Sequence, residues 1–288
     1  MRTGRAGRRR RLPFVAIALL LLFHPVARAQ TLVVKGSDTL GSELVPRLAA
    51  EFQSLNPEFR FEIASEGSST GIISVLEGGA DLAMASRALS PRERELAAER
   101  GRELRMFPVA LDAIVVIVHP SNPVEDLSLR QVEALFCGDV ANWLAVGGEK
   151  AGPIYPYTRH TASGTYSRFK ELAMRKRDYS LRSQKMAGNE QIVMEVEQNP
   201  YGIGYVPLQE AGTGAVRVCA LDGVVPSRRT MLDGRYRLLR RLYFIYDREE
   251  ADGFLRRFLA FCRSPQGRKI ILSSRFIPYL SDEDKQGA

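Results

Sequence analysis

The run Leu32-Val33-Val34-Lys35-Gly36-Ser37-Asp38-Thr39-Leu40 carries a change of backbone state. Its first three residues are consecutive apolar side chains of strand type, and Gly36 ends them. Leu40, Leu44, Val45, Leu48, Phe52 and Leu55 then recur at helical spacing, after which Phe59, Phe61 and Ile63 alternate as a strand does. Strand, glycine junction, amphipathic helix and strand in this order is the unit of an α/β layered fold with a largely parallel sheet.

The same alternation continues along the chain. Helices are expected over about Thr70 to Leu76, from Pro91, and over Ser128 to Phe136, Ser167 to Met174 and Gln191 to Glu197. Strands are expected over Asp81 to Ala85, Ala113 to Val118, Ile203 to Val206 and Leu242 to Tyr246. Phe254, Leu255, Phe258, Leu259 and Cys262 form a late helical stripe.

With 288 residues, 45% of them hydrophobic and 26% charged, the chain is globular rather than disordered and long enough for one large domain or two ordinary ones. The formal net charge of +8 is nearly all contributed by Arg2, Arg5, Arg8, Arg9, Arg10, Arg11 and Arg28 within an acid-free leader. A nucleic-acid reading needs cations clustered on the folded part, so it loses its support.

That leader has a basic start, an apolar stretch from Leu12 to Phe23, and Ala27-Arg28-Ala29 before Gln30. This is the pattern of a signal peptide, residues 1–29, cut after Ala29; a dozen apolar residues are too few to span the ~30 Å of a bilayer core. No cysteine stands at the cut, so a freely soluble periplasmic protein is expected rather than a lipoprotein. Cys137, Cys219 and Cys262 match no zinc or redox spacing and read as buried small hydrophobes, with room for at most one disulfide.

A strand end, a Gly/Ser/Thr cluster and a helix start recur together at Gly36-Ser37-Asp38-Thr39, Gly67-Ser68-Ser69-Thr70-Gly71, Ala162-Ser163-Gly164-Thr165 and, more weakly, Gly188-Asn189. Each offers free backbone N–H groups, hydroxyls and the positive end of a helix dipole. One such junction is an ordinary N-cap. Several in one chain, with Arg159 just ahead of the third, point to a convergent pocket for a small oxyanion.

These junctions, with Ala80-Asp81-Leu82-Ala83-Met84-Ala85-Ser86-Arg87, Leu135-Phe136-Cys137-Gly138-Asp139-Val140-Ala141-Asn142-Trp143, the Arg-x-x-x-Ser-Gly-Thr element from Arg159 and Ile203-Gly204-Tyr205-Val206, resemble in content and order the periplasmic phosphate-binding proteins of ABC importers, PstS-like, from about Leu32 to Leu280. The resemblance implies a two-lobed type II periplasmic-binding-protein fold with a hinge and the ligand in the interlobe cleft. It places one lobe at 31–111 and 239–288 and the other at 112–238, with hinge segments near Leu111 to Ala113 and Leu239 to Leu242. It implies phosphate contacts from Thr39, Leu40 (through backbone N–H), Ser68, Arg159, Ser163, Gly164 and Thr165, with Arg159 the single cation. It further implies a monomer and a permease partner in the inner membrane; no cofactor or metal is expected, since no Walker loop, H-E-x-x-H, paired-cysteine zinc pattern or complete G-x-G-x-x-G occurs. Where the family commonly carries an Asp that accepts the proton of hydrogenphosphate, this chain has Arg87, a candidate selectivity position; Asp38 is an alternative source of the carboxylate.

Two rival classes are open on sequence. Gly67-Ser68-Ser69-Thr70-Gly71 also fits the nucleophile elbow of a secreted serine hydrolase, with Ser69 as nucleophile, His119 or His160 as base and Asp112 or Asp139 as orienter. The same fold also serves signalling or adhesion without transport. Trp143 reads as a packing anchor, the Arg92 to Arg105 helix as an exposed face of weak ion pairs, and Arg228, Arg229, Arg235, Arg237, Arg240 and Arg241 as a solvated loop and strand edge.

Overall fold

The structure is a computed structural model that describes residues 30–148 and 152–280; the leader 1–29 lies outside the described residues. In chain order the elements are β1 (Gln30–Gly36), α1 (Asp38–Gly41), α2 (Leu44–Leu55), β2 (Phe59–Ser65), α3 (Ser68–Leu76), β3 (Leu82–Ala85), α4 (Pro91–Glu99) and the long β4 (Leu104–Val118). Then come β5 (Asp126–Leu127), α5 (Leu129–Cys137), β6 (Tyr155–Arg159), α6 (Gly164–Ala173), β7 (Gln184–Met186), α7 (Asn189–Gln198), β8 (Gly202–Pro207), β9 (Arg217–Val218), β10 (Ala220–Leu221) and α8 (Arg228–Leu232). The chain closes with β11 (Leu239–Asp247), α9 (Gly253–Arg263), α10 (Pro265–Ser273) and β12 (Ile277–Pro278).

The main sheet runs β2-β1-β3-β11-β4-β8-β6-β7. Its two ends are parallel, as the alternation of strands and helices requires: β1 with β2 and β3, and β6 with β7 and β8. The centre corrects the expectation of a largely parallel sheet, because β11 pairs antiparallel with both β3 and β4, and β4 antiparallel with β8. A late strand returning beside an early one cannot be read from local spacing.

Two large cores lie on either side of that centre. One holds Leu32, Phe52, Phe59, Leu82, Phe254 and Phe258; the other holds Ile117, Phe136, Phe169, Ile192, Tyr205 and Val206. β4 passes from the first core at Ala110 into the second at Ala113, and β11 comes back from Leu239, packed against the second, to Leu242 in the first. Two strands running through both cores side by side give the two-lobed form its connection. The first core is knit by aromatic rings, Phe59 stacked on Phe254 at 3.9 Å and Phe52 edge-on to Phe258 at 5.6 Å. Truncating a buried Phe such as Phe52 to Ala costs roughly 3–5 kcal/mol.

Trp143 is buried, and its indole N–H donates to the Tyr201 carbonyl at 3.1 Å, a packing anchor as expected. All three cysteines are free thiols; Cys219 and Cys262 are buried, and burial pushes the Cys219 thiol up to about 12. α4 opens with a capping box between Ser90 and Glu93 and ends at Glu99. The segment after it, Leu104 onward, is strand rather than a continuation of the expected exposed helix.

Candidate functional site

Each junction is a helix N-terminus at the end of a strand, and the fold brings all four together. The Ser69 N–H donates to the Ala162 carbonyl at 3.1 Å, joining the second junction to the third. The Asn189 N–H donates to Asp38 Oδ2 at 2.9 Å, joining the fourth to the first, and Thr39 Oγ1 lies 3.3 Å from Thr165 Oγ1, joining the first to the third. Approach this close demands glycine. Gly67 has φ +105°, and a Cβ on it would lie 2.8 Å from the Ala162 carbonyl; a Cβ on Gly164 would lie 2.3 Å from Ser68 Oγ.

Thr39, Leu40, Ser68, Arg159, Ser163, Gly164 and Thr165 are all buried around this point. The hydroxyls share one feature: each accepts a protein donor. Ser68 Oγ accepts from the Ser86 N–H at 3.0 Å and Ser163 Oγ from the Tyr166 N–H at 3.4 Å. Thr165 Oγ1 accepts from Arg240 Nη1 at 2.8 Å and Thr39 Oγ1 from Arg240 Nη2 at 3.1 Å. A hydroxyl whose oxygen is so engaged keeps its single proton to give, and of Thr39 and Thr165, bonded to each other, one keeps it. Of the first N–H groups of the helices, those of Ser69, Tyr166 and Asn189 are taken by Ala162, Ser163 and Asp38, while those of Gly164 and Thr165 have no acceptor among the described residues. The Leu40 N–H donates to the Ser37 carbonyl at 3.2 Å, within the first turn of α1.

Arg159, at the end of β6, is buried. Its Nη1 donates to Asn189 Oδ1 at 2.6 Å and to Asp38 Oδ2 at 3.1 Å, and its Nη2 to the Ala187 carbonyl at 2.7 Å. Arg159 Nε and Asn189 Nδ2 are buried with no hydrogen-bond partner among the described residues, which leaves two further donors in the same place. Burial pulls the Arg159 pKa down and Asp38 pulls it back up; a guanidinium in such a site stays charged.

The site holds a second cation, at a position where the sequence predicts a solvated edge. Arg240 on β11 is fully buried, and its Nε and Nη2 donate to Asp112 Oδ2 at 2.8 and 2.6 Å. Burial raises the Asp112 carboxyl and lowers Arg240, while each counters the shift of the other. Two short charge-assisted hydrogen bonds keep the pair ionised. Nothing in the local spacing marks Arg240 apart from Arg237 or Arg241. Its signal is its register opposite Asp112 in the sheet.

Arg87 has a bidentate pair with Glu93, 2.7 Å on both oxygens, and donates to Ser69 Oγ at 2.8 Å. Burial raises the Glu93 carboxyl, but Arg87 and the Ser90 N–H outweigh it and hold it below the usual value. The residues of the hydrolase reading are engaged elsewhere. His119 Nδ1 bonds Ser121, Asp112 bonds Arg240, Asp139 bonds Arg177 and Ser69 Oγ accepts from Arg87, and no hydrogen bond joins Ser69 to His119 or His160 among the described residues. No group of three or more His, Cys, Asp or Glu suited to a metal occurs among the described residues.

A family model for the PBP superfamily domain matches residues 24–266. The phosphate-binding protein PstS of Pseudomonas aeruginosa is 32% identical over 263 residues, which cover 84% of this chain and 81% of that protein. The chain belongs to the PstS-like family. Among solved PstS-like structures, a Clostridium perfringens protein with bound phosphate, described as a phosphate ABC transporter substrate-binding protein, superposes with a TM-score of 0.81 at 28% identity, covering 87% of this chain and all of that one. An ABC-type phosphate transport receptor from Vibrio cholerae gives a TM-score of 0.71 at 25% identity, with 85% and 99% covered. The mixed sheet with two cores is the type II periplasmic-binding-protein fold of these PstS-like proteins.

Proposed function

We propose that this chain captures inorganic phosphate in the cleft between its lobes and presents it to an ABC permease, without making or breaking a bond. The observation that carries this reading is the set of hydroxyls on Thr39, Ser68, Ser163 and Thr165, each accepting from a protein donor, so that Ser68, Ser163 and one of the two bonded threonines are left to donate to an oxyanion. Arg159, with its unpartnered Nε, supplies the charge, and the N–H groups of Gly164 and Thr165 add the dipole of α6. The relatives named as phosphate-binding proteins and the phosphate-bound Clostridium perfringens neighbour support the choice of anion.

We assign the lobes as 31–111 with 239–288, and 112–238, meeting at the β4/β11 crossing, with 149–151 and 281–288 outside the described residues. The leader pattern supports export to a periplasm with cleavage after Ala29, and a monomer suffices for one cleft. Asp38, bonded directly to Arg159, is the carboxylate that accepts the hydrogenphosphate proton and repels a fully deprotonated sulfate. Calorimetric titration of the refolded, anion-stripped mature chain with phosphate, arsenate, sulfate and molybdate tests the reading. Phosphate should bind with one equivalent and ahead of sulfate; heat from none of the four would refute it. Ester cleavage abolished by Ser69→Ala would favour the hydrolase instead.

A further inference from the structure

Beside the hinge lies a second cavity of about 950 Å³ whose lining includes Arg87, Arg168, Arg228, Arg240, Arg241 and Arg268 and, among the described residues, no carboxylate. Three of these cations are answered from behind: Arg87 by Glu93, Arg168 by Glu171 and Arg240 by Asp112. Arg228 and Arg241 are exposed, and neither has a carboxylate partner among the described residues; Arg241 lies over the Tyr279 ring, 5.5 Å from its centre. Cations gathered in a concave, partly apolar wall focus a positive potential that only an anion relieves. The volume is that of a drug-sized ligand, far more than one tetrahedral ion needs.

We infer that this cavity is a second anion site, distinct from the cleft, that takes an oligophosphate chain, free or attached to an organic group. Guanidinium forks match phosphate oxygens two at a time, so several arginines spread over one wall suit several linked phosphates rather than one. Tyr243 and Tyr279 line the cavity with Leu239 and Ile277, a partly apolar wall against which an organic group would lie. Arg240 separates the two sites, lining this cavity while it donates to Thr39 and Thr165 of the cleft. Occupancy here therefore needs no donor of the phosphate cleft except that shared wall.

The test is calorimetry on the mature chain in saturating orthophosphate, with inorganic tripolyphosphate and ATP as probes. Tripolyphosphate should bind with one equivalent while orthophosphate stays bound. Arg228→Ala/Arg241→Ala, two exposed positions away from the cleft, should weaken it at least ~10-fold and leave the orthophosphate isotherm unchanged. Equal affinity for the two probes assigns the site to the phosphate chain alone, and tighter ATP adds the partly apolar wall; both support the inference. Because Asp282, Glu283 and Asp284 follow Leu280 in the sequence, the titration is repeated on a chain ending at Leu280, and binding in that chain alone also supports it. No binding in either chain, competition with orthophosphate for one site, or an unaffected double variant overturns it. Failure of the cleft reading would show separately, in the orthophosphate titration by itself.

Discussion

Arg240 and Asp112 stand opposite each other in the register of β11 and β4, fully buried and joined by hydrogen bonds of 2.6 and 2.8 Å, at the point where both strands pass from one core to the other. The remaining Nη donors of Arg240 reach Thr39 before the crossing and Thr165 beyond it. One side chain thus ties the hinge to both walls of the cleft.

Removing either partner leaves a buried charge without its counter-ion. Asp112→Asn and Arg240→Met should each lose about 3–5 kcal/mol of stability in denaturant unfolding, and Asp112→Leu/Arg240→Met should lose less than the two singles combined. Arg240→Met should also weaken phosphate binding, since Thr39 and Thr165 lose the donor that fixes their hydroxyls. A single variant within about 1 kcal/mol of the parent would contradict the pair's role.

Arg159→Ala removes the charge-assisted donor of the cleft. The loss should be on the order of 2 to 4 kcal/mol of binding, or ~30-fold to ~1000-fold in phosphate affinity by calorimetry. Arg159→Lys should recover little, because its single ammonium cannot reproduce the fork that holds Asp38, Asn189 and the Ala187 carbonyl together.

Selectivity should follow Asp38 rather than Arg87. Arg87 is committed to Glu93 and Ser69, so Arg87→Ala should leave the phosphate-to-sulfate affinity ratio unchanged and lower stability instead, by uncovering the Glu93 carboxylate. Asp38→Asn should narrow the ratio by improving sulfate binding. A ratio that moves with Arg87 and not with Asp38 would reverse the assignment.

What was legible in the sequence, and what was not, divides along these residues. The Arg159-to-Thr165 element and the two glycine junctions at Gly36 and Gly67 were readable because each is a local strand-to-helix turn whose chemistry needs glycine and hydroxyls at fixed offsets. The alternation of strands and helices likewise gave β1, β2, β3 and β8, whereas β6 and β7 of the second parallel end are not among the expected strands. Arg240 was not readable, because its burial depends on Asp112, 128 residues away, and on an antiparallel pairing that no local period reports. Arg87 was legible as a departure from the family pattern, but its partner was not; Glu93 is reached only through the turn that caps α4.

Acid should weaken the fold partly through His160. Burial, and then the Arg159 cation, hold its imidazole below the ordinary 6.5, against the pull of Asp38. Between that ordinary value and the lower folded one the unfolded chain binds the extra proton, so stability falls as pH drops through this window. The denaturant midpoint of the parent should therefore fall more between about pH 7 and about pH 5.5 than that of His160→Gln. An equal fall in both would mean that His160 titrates as it does in the unfolded chain.

The most direct test of a cleft that closes on phosphate is small-angle scattering of the anion-stripped mature chain. An anion held by Thr39 and Ser68 from one wall and by Arg159, Ser163 and Thr165 from the other favours the closed form by its differential affinity. Saturating phosphate should reduce the radius of gyration, and Ser163→Ala/Thr165→Val should lose that compaction more completely than it loses binding. Tight phosphate binding with no change in radius, in a chain shown to be open beforehand, would contradict the two-walled clamp.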